Sequence, residues 1–187
     1  MRLCAAILFA AALFVRPLAT ADAGTALSLD VPDLAERADL IVEGHVLDAR
    51  SEVTEGGLIV TAWDVSVERL FHGDAPSVVT LRLPGGVVGS IGMVIPGMPE
   101  MAPGEDVLLF VTEESHAGFR MPIGLGQGKY RIVTDLATGK RMLHRDAHDL
   151  ELIGPSGHAY PASTSSSIEY ADAVAEIHQG LARKEVR

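Results

Sequence analysis

The sequence predicts a mainly β protein, a small antiparallel barrel with a short N-terminal helical lead-in and a C-terminal amphipathic helix. About seven short segments alternate apolar and polar residues, and no long helical pattern separates them. The last twenty residues instead repeat their apolar positions with the period of a helix. Runs of short strands joined by turns are typical of antiparallel barrels and sandwiches.

The composition narrows the functional class. The chain has 187 residues, of which 48% are hydrophobic, and its formal net charge is −10. That length suits one globular domain, and the apolar content argues against disorder. A single cysteine cannot form a disulfide within the chain. The negative charge argues against nucleic acid as a partner, because binding a phosphate backbone requires clustered Lys and Arg.

Residues 1–21 are predicted to be a signal peptide. Arg2 precedes an uninterrupted apolar run from Leu3 to Val15, and small residues at 19–21 follow. Thirteen apolar residues fall short of the roughly 20 that span a bilayer, so we expect cleavage after Ala21 and no stable membrane anchor. Cleavage removes two arginines, no acid and the single cysteine, which takes the net charge from −10 to −12. The predicted location is the periplasm or the exterior.

The barrel domain is predicted to cover residues 22–155. A short helical lead-in is predicted over 30–38, because Asp30 can cap it and Pro32 suits a first helical turn. A turn at Glu55–Gly57 separates the first two strands. The segments with strand character are 39–47, 58–71, 79–83, 107–112, 119–121, 129–134 and 140–144.

The stretch Pro84–Gly104 predicts a long loop or a loosely paired flap. Ten of its 21 residues are Gly or Pro, and loops of this length are more often functional than short connectors are. We therefore assign the contact surface to this loop and the barrel rim. The predicted binding residues of this surface are Met93, Met98 and Met101 in the loop, and Lys129 and Tyr130 outside it. Thioethers bind Cu(I), but methionine is also a flexible apolar filler, and we favour the filler interpretation.

Residues 156–167 are predicted to be a polar linker, and residues 168–187 the C-terminal helix. The linker is rich in Ser and Thr and ends in a capping-box pattern from Ser166 to Glu169. The helix carries an apolar stripe at Ile168, Ala171, Val174, Ile177 and Leu181. Such a stripe usually packs on its own domain, and the alternative is that it binds a partner.

No cofactor or catalytic signature is strong. The run Gly124–Tyr130 fails both the dinucleotide and the P-loop patterns, so no cofactor is expected. The alternative to a binding module is a metal-binding protein or metal-dependent hydrolase. Its ligands would be His144, Asp146 and His148, since two histidines four residues apart on a helix can share a metal, although this pair follows a strand.

The chain resembles a group of uncharacterised exported bacterial β-barrel proteins. The resemblance rests on Ala38–Val46, Trp63–Asp74, Pro103–Phe110 and Gly126–Tyr130, and it covers roughly residues 29–154. More distantly, the order of strands is similar to the OB-like barrel of netrin modules and tissue inhibitors of metalloproteinases, which implies an OB-like fold. Those inhibitors bind the protease zinc through an N-terminal cysteine and are held together by disulfides. The single cysteine here, Cys4, lies in the predicted signal peptide, so the resemblance does not imply the inhibitory mechanism.

We therefore expect an exported binding module, more a binder than an enzyme. The long loop beside short strands, without a catalytic constellation, suits the engagement of a protein partner. An exported partner such as a protease is the one that the resemblance suggests.

Overall fold

A computed structural model describes residues 24–145, 147, 150–162 and 167–186. The protein is mainly β, with two α-helices in this part of the chain. The predicted signal peptide lies outside the described residues. No described helix is long and apolar enough to cross a membrane.

Seven strands form the main sheet, and every neighbouring pair in it is antiparallel. In chain order they are β2 (Leu40–Val53), β3 (Ile59–His72), β4 (Val78–Pro84), β7 (Asp106–Val111), β8 (Lys129–Thr134), β9 (Arg141–Arg145) and β12 (Ser167–Glu169). Their order across the sheet is β12-β9-β8-β7-β2-β3-β4. The two long strands β2 and β3 form a hairpin whose turn places Val53 opposite Ile59.

Two smaller sheets complete the strands. The first has the order β1-β10-β11, with β1 (Gly24–Leu27) parallel to β10 (Leu150–Ile153) and β11 (Ala159–Pro161) antiparallel to it. The second is a hairpin of β5 (Gly86–Val88) and β6 (Ile91–Met93). This hairpin lies within Pro84–Gly104, which we call the flap.

The expectation of a barrel was wrong, because no closed barrel is found among the described strands. A barrel closes only when the first and last strands of the sheet pair with each other. Here the edge strands are β4 and the three-residue β12, and these two are not neighbours. The alternation that predicts strands shows which side chains share a face, but it does not show which strands form the edges.

Apolar side chains cover both faces of the sheet. Successive residues of β7 alternate between two cores, so that Leu108 and Phe110 lie on one face and Val107, Leu109 and Val111 on the other. We call the core on the first face, which the two helices cover, the helix-side core. We call the core on the second face the cleft-side core, because it lies beside the cleft described below; it is built from β2, β3, β4 and β7, and includes Trp63 and Met101.

The two helices pack against each other and on the helix-side core. Helix α1 (Val31–Arg37) begins after Asp30, whose side chain accepts a hydrogen bond from the Asp33 amide at 2.8 Å. Helix α2 (Tyr170–Glu185) buries Ala173 and Ile177. Of the predicted stripe, Ile177 is buried and Ile168 and Leu181 pack against the same core, whereas Ala171 is exposed.

Close packing between the helices depends on Gly180. A Cβ added there would lie 2.3 Å from the Pro32 carbonyl oxygen and 2.7 Å from the Ala35 Cβ. At the start of α2, the buried carboxylate of Glu43 accepts hydrogen bonds from Arg141 and from the Tyr170 hydroxyl. The contacts of Glu43 join the start of α2 to the sheet, and Gly180 brings the second half of α2 against α1.

The C-terminal bounds differ from the predicted ones. The segment 156–167, predicted to be a linker, contributes β11 and the first residue of β12. Helix α2 begins at Tyr170, since Ile168 and Glu169 pair with Leu143 and Met142 of β9. Residues 163–166 of the predicted linker, which include Ser166 of the capping box, lie outside the described residues.

Candidate functional site

An open cleft of about 560 Å³ lies between the flap and the cleft-side face of the main sheet. Its floor comes from β2, β3 and the first residue of β8. Its wall comes from the flap. The principal floor residues are Ala49, Ser51, Thr61, Trp63 and Lys129, and the wall includes Met93, Val94, Ile95, Met98, Glu100 and Met101. The size is typical of sites that bind ligands or side chains of a partner.

Lys129 places a positive charge in this floor. Its side chain is only 2% exposed, and Nζ lies 3.3 Å from Oε2 of Glu105. The Glu105 oxygen also accepts a hydrogen bond from the Ala102 amide at 3.3 Å. A buried ammonium requires such a partner, because desolvation of an uncompensated charge is costly. The pair therefore leaves the floor polar but nearly neutral.

Trp63 ties the flap to the sheet. Its indole Nε1 donates a hydrogen bond to the Met101 carbonyl oxygen at 3.1 Å. The ring belongs to the cleft-side core, and it also lines the cleft. It is the single tryptophan of the chain. Its fluorescence can therefore report on changes in the cleft.

Two hydroxyl groups lie on the floor where the flap begins. Thr61 Oγ1 donates to the Gly85 carbonyl oxygen at 2.8 Å, and Ser51 Oγ lies 2.9 Å from Thr61 Oγ1. Because the Thr61 proton is already used, Ser51 is the donor in that pair. At Gly86, with φ of +127°, a Cβ would lie 2.1 Å from Thr61 Oγ1, so only glycine fits there.

Further along the flap, Pro96 and Gly97 contact β1 and β10 of the three-stranded sheet. The Gly126 amide donates to the Gly97 carbonyl oxygen at 2.8 Å. A Cβ added at Gly97 would lie 2.1 Å from a methyl carbon of Leu150 in β10. The backbone of Gly24 in β1 approaches Pro96 so closely that a Cβ there would be 3.3 Å from its carbonyl oxygen. The flap is thus fixed at Gly85 and again at Gly97.

Between these fixed positions, the β5–β6 hairpin and the residues after it expose apolar side chains. Val87, Ile91 and Val94 are 67%, 64% and 79% exposed. Val94 also lines the cleft. Exposed apolar residues scattered singly are normal on a protein surface, whereas a group on one projecting element is typical of an interaction site.

The structure brings four of the five predicted binding residues to this cleft. Met93, Met98, Met101 and Lys129 all line it. Tyr130 does not, because successive side chains of a strand point to opposite faces. Its ring packs edge-on against Phe110 in the helix-side core, and Arg145 donates to its hydroxyl. Burial raises the pKa of the Tyr130 hydroxyl.

The residues of the alternative metal site are described only in part. His144 lies in β9, opposite Arg131 and Ser167 of the flanking strands. Asp146 and His148 lie outside the described residues. Within the described ranges, no group of three or more His, Cys, Asp or Glu side chains could hold a metal ion.

Sequence reasoning missed several floor residues. Neither Trp63 nor Glu105 was predicted as a binding residue, and Trp63 both packs in the cleft-side core and lines the cleft. Ser51 and Thr61 were not singled out, although the predicted turn at Glu55–Gly57 contained the necessary signal. A hairpin centred on that turn places Ser51 opposite Thr61 and Ala49 opposite Trp63, as the register of β2 and β3 has them.

Comparison of the chain with protein-family models, with curated proteins and with solved structures found no match. The functional conclusion therefore depends on the geometry of the cleft and the flap.

Proposed function

We propose that the protein is a non-catalytic binding module that holds an extended apolar segment of a protein partner between the flap and the cleft. The observation that carries this proposal is the exposure of Val87, Ile91 and Val94 beside an open cleft. Covering these side chains with an apolar segment would remove them from water, which contributes roughly 25 cal/mol for each Å² buried.

The charge distribution favours a partner with basic residues beside its apolar segment. The chain has a formal net charge of −10, and Glu100 is exposed where it lines the cleft. The charge of Lys129 is largely compensated by Glu105, and Glu100 adds a negative charge to the cleft lining. Complementary charge of this kind accelerates association and selects among partners.

The hydroxyl groups of the floor support binding over nucleophilic chemistry. An activated serine or threonine needs a general base within hydrogen-bonding distance. Ser51 instead donates to Thr61, and Thr61 donates to the backbone of Gly85. Both groups hold the flap in place, and no histidine is among the residues that line the cleft.

The predicted signal peptide places the protein, in this proposal, in the periplasm or outside the cell. Its partner is then also an exported protein, and an exported protease is our first candidate for it.

Site-specific crosslinking tests the proposal. A photo-activatable amino acid replaces Ile91 in one variant and Leu136 in the other. Leu136 is 98% exposed in the turn between β8 and β9 and does not line the cleft, so it is a matched exposed apolar control. We expect a single crosslinked protein from position 91 in cells that export the chain, and none from position 136.

A second pair of variants separates the partner's chemistry from simple proximity. Ile91→Asp should abolish the crosslink made from a photo-activatable group at Val94, because a charge on the hairpin opposes apolar contact. Leu136→Asp should leave that crosslink unchanged. Equal labelling from positions 91 and 136, or a crosslink that survives Ile91→Asp, would overturn the proposed contact surface.

A further inference from the structure

We propose that Met93, Met98 and Met101 form a soft-metal site that binds one Cu(I) ion within the cleft. This inference goes beyond the binding of a protein partner, and it depends on different atoms. The partner surface uses the exposed aliphatic side chains of the hairpin, whereas the metal site uses thioether sulfurs that line the cleft.

Three methionines line one cleft. The described residues contain five methionines, and the three that line the cleft lie within nine consecutive residues of the flap. Met93 and Met98 are half-buried and Met101 is buried, and the last two also pack against the cleft-side core. A methionine side chain has three rotatable bonds, which allow sulfurs from one loop to reach a common point.

The available donors select Cu(I). Thioether sulfur is a soft ligand that suits Cu(I), whereas Zn²⁺ and Mg²⁺ prefer imidazole, thiolate or oxygen. After Cys4 the chain has no cysteine, and the cleft lining contains no histidine. Within the lining, the softest donors are therefore the three methionines.

The electrostatic environment permits a monovalent cation. The ammonium of Lys129 is paired with Glu105, and Glu100 adds a negative charge at the entrance. The indole of Trp63 lines the same space, and tryptophan is the aromatic residue that best attracts a cation to its face. A singly charged ion in this cleft thus meets a surface that is neutral to negative.

Direct titration tests the site. Protein purified without an affinity tag is titrated anaerobically with Cu(I) in competition with a chromogenic Cu(I) chelator, while Trp63 fluorescence is recorded. We expect one Cu(I) per chain and a fluorescence change that saturates at the same ratio. If the chelator retains all of the Cu(I), or if the fluorescence does not change, the proposal is overturned.

Substitution by leucine separates sulfur from packing. Leucine has nearly the same volume as methionine but has no metal ligand, so Met98→Leu and Met101→Leu should each weaken Cu(I) binding at least ten-fold while leaving the unfolding midpoint nearly unchanged. Met121→Leu is the matched control, because Met121 packs against the same core as Met98 but does not line the cleft. Equal losses in all three variants would contradict the site.

The pH dependence distinguishes thioethers from other ligands. Histidine and cysteine must lose a proton before they bind a metal, whereas a thioether has none to lose. We therefore expect the Cu(I) affinity to be constant within a factor of two between pH 5.5 and 7.5, with no competition from Zn²⁺. A steep loss of affinity at the lower pH would overturn the site. The crosslink at position 91, measured with a copper chelator present, reports on the partner surface alone.

Discussion

The Nζ atom of Lys129 lies 3.3 Å from Oε2 of Glu105, and almost none of the lysine side chain is exposed. The two residues come from different elements, β8 and the segment that leads into β7. Their pairing therefore joins the end of the flap to the floor of the cleft. Among the residues that the structure describes, Glu105 is the one carboxylate paired with this lysine.

Glu105→Gln should destabilise the fold by about 1–3 kcal/mol, because the buried ammonium keeps its charge and loses its partner. We expect the low end of this range if water reaches the partly exposed site of Glu105. The measurement is the free energy of urea unfolding. In the Lys129→Met background the same Glu105→Gln change should cost much less, since no charge is left uncompensated. An equal cost in both backgrounds would contradict the pairing.

Trp63→Phe should loosen the flap. Phenylalanine keeps an aromatic ring in the cleft-side core, but it leaves the buried carbonyl of Met101 without its donor. An unsatisfied buried acceptor costs about 1–3 kcal/mol. Amide hydrogen exchange should accelerate in residues 98–102. The amides of β9 should slow or accelerate only as much as the change in the free energy of global unfolding requires. Uniform acceleration across the chain would show that the indole does not act through the flap.

Stability should fall as the solution becomes more acidic than about pH 6.5, the ordinary pKa of histidine. Burial lowers the pKa of His72, and the charge of Lys184 lowers it further, against the opposite effects of Asp39 and Glu185. Because the unfolded chain then binds more protons, stability is lost as pH falls from about 6.5 through the folded pKa. His72→Gln should flatten the difference in unfolding free energy between pH 7.5 and 5.5. The exposed His158→Gln should leave it unchanged.

Gly180→Ala should destabilise the protein by roughly 1–3 kcal/mol through overpacking. In an exposed helix the same change stabilises by about 1 kcal/mol, so the expected sign is opposite to that of helix propensity. The reason is the contact of Gly180 with the Pro32 carbonyl of α1. Gln179→Ala, at the exposed neighbouring position, is the control for thermal unfolding. A higher melting temperature for Gly180→Ala would show that α2 can shift away from α1.

Local patterns predicted the main strands and the flap. The alternation in β3 and the dense Gly and Pro of Pro84–Gly104 are properties of short stretches, and the structure has the strand and the hairpin-containing flap there. The three methionines and Lys129 were singled out because they lie in or near the irregular segments. Their convergence on one cleft follows from the way the flap folds back over β2 and β3.

Long-range pairings were beyond the sequence. The parallel pairing of β1 with β10 joins Gly24 to Leu150, and nothing in either short segment specifies the other. The position of β4 at an edge of the main sheet is a second example, because it depends on whether any other strand pairs with β4 and not on the residues of β4 itself. Tyr130 lies on the helix-side face, because the pleat of β8 points its side chain away from that of Lys129.

The close approach of Gly24 to Pro96 has a practical consequence for anyone who handles this protein. A tag or fluorescent label joined just ahead of β1 would be attached beside Pro96 of the flap, and it would change access to the cleft. The main sheet separates α2 from the cleft-side core, so an attachment after α2 is on the helix side. Immobilisation through the C-terminal end is therefore the arrangement that leaves the candidate site accessible.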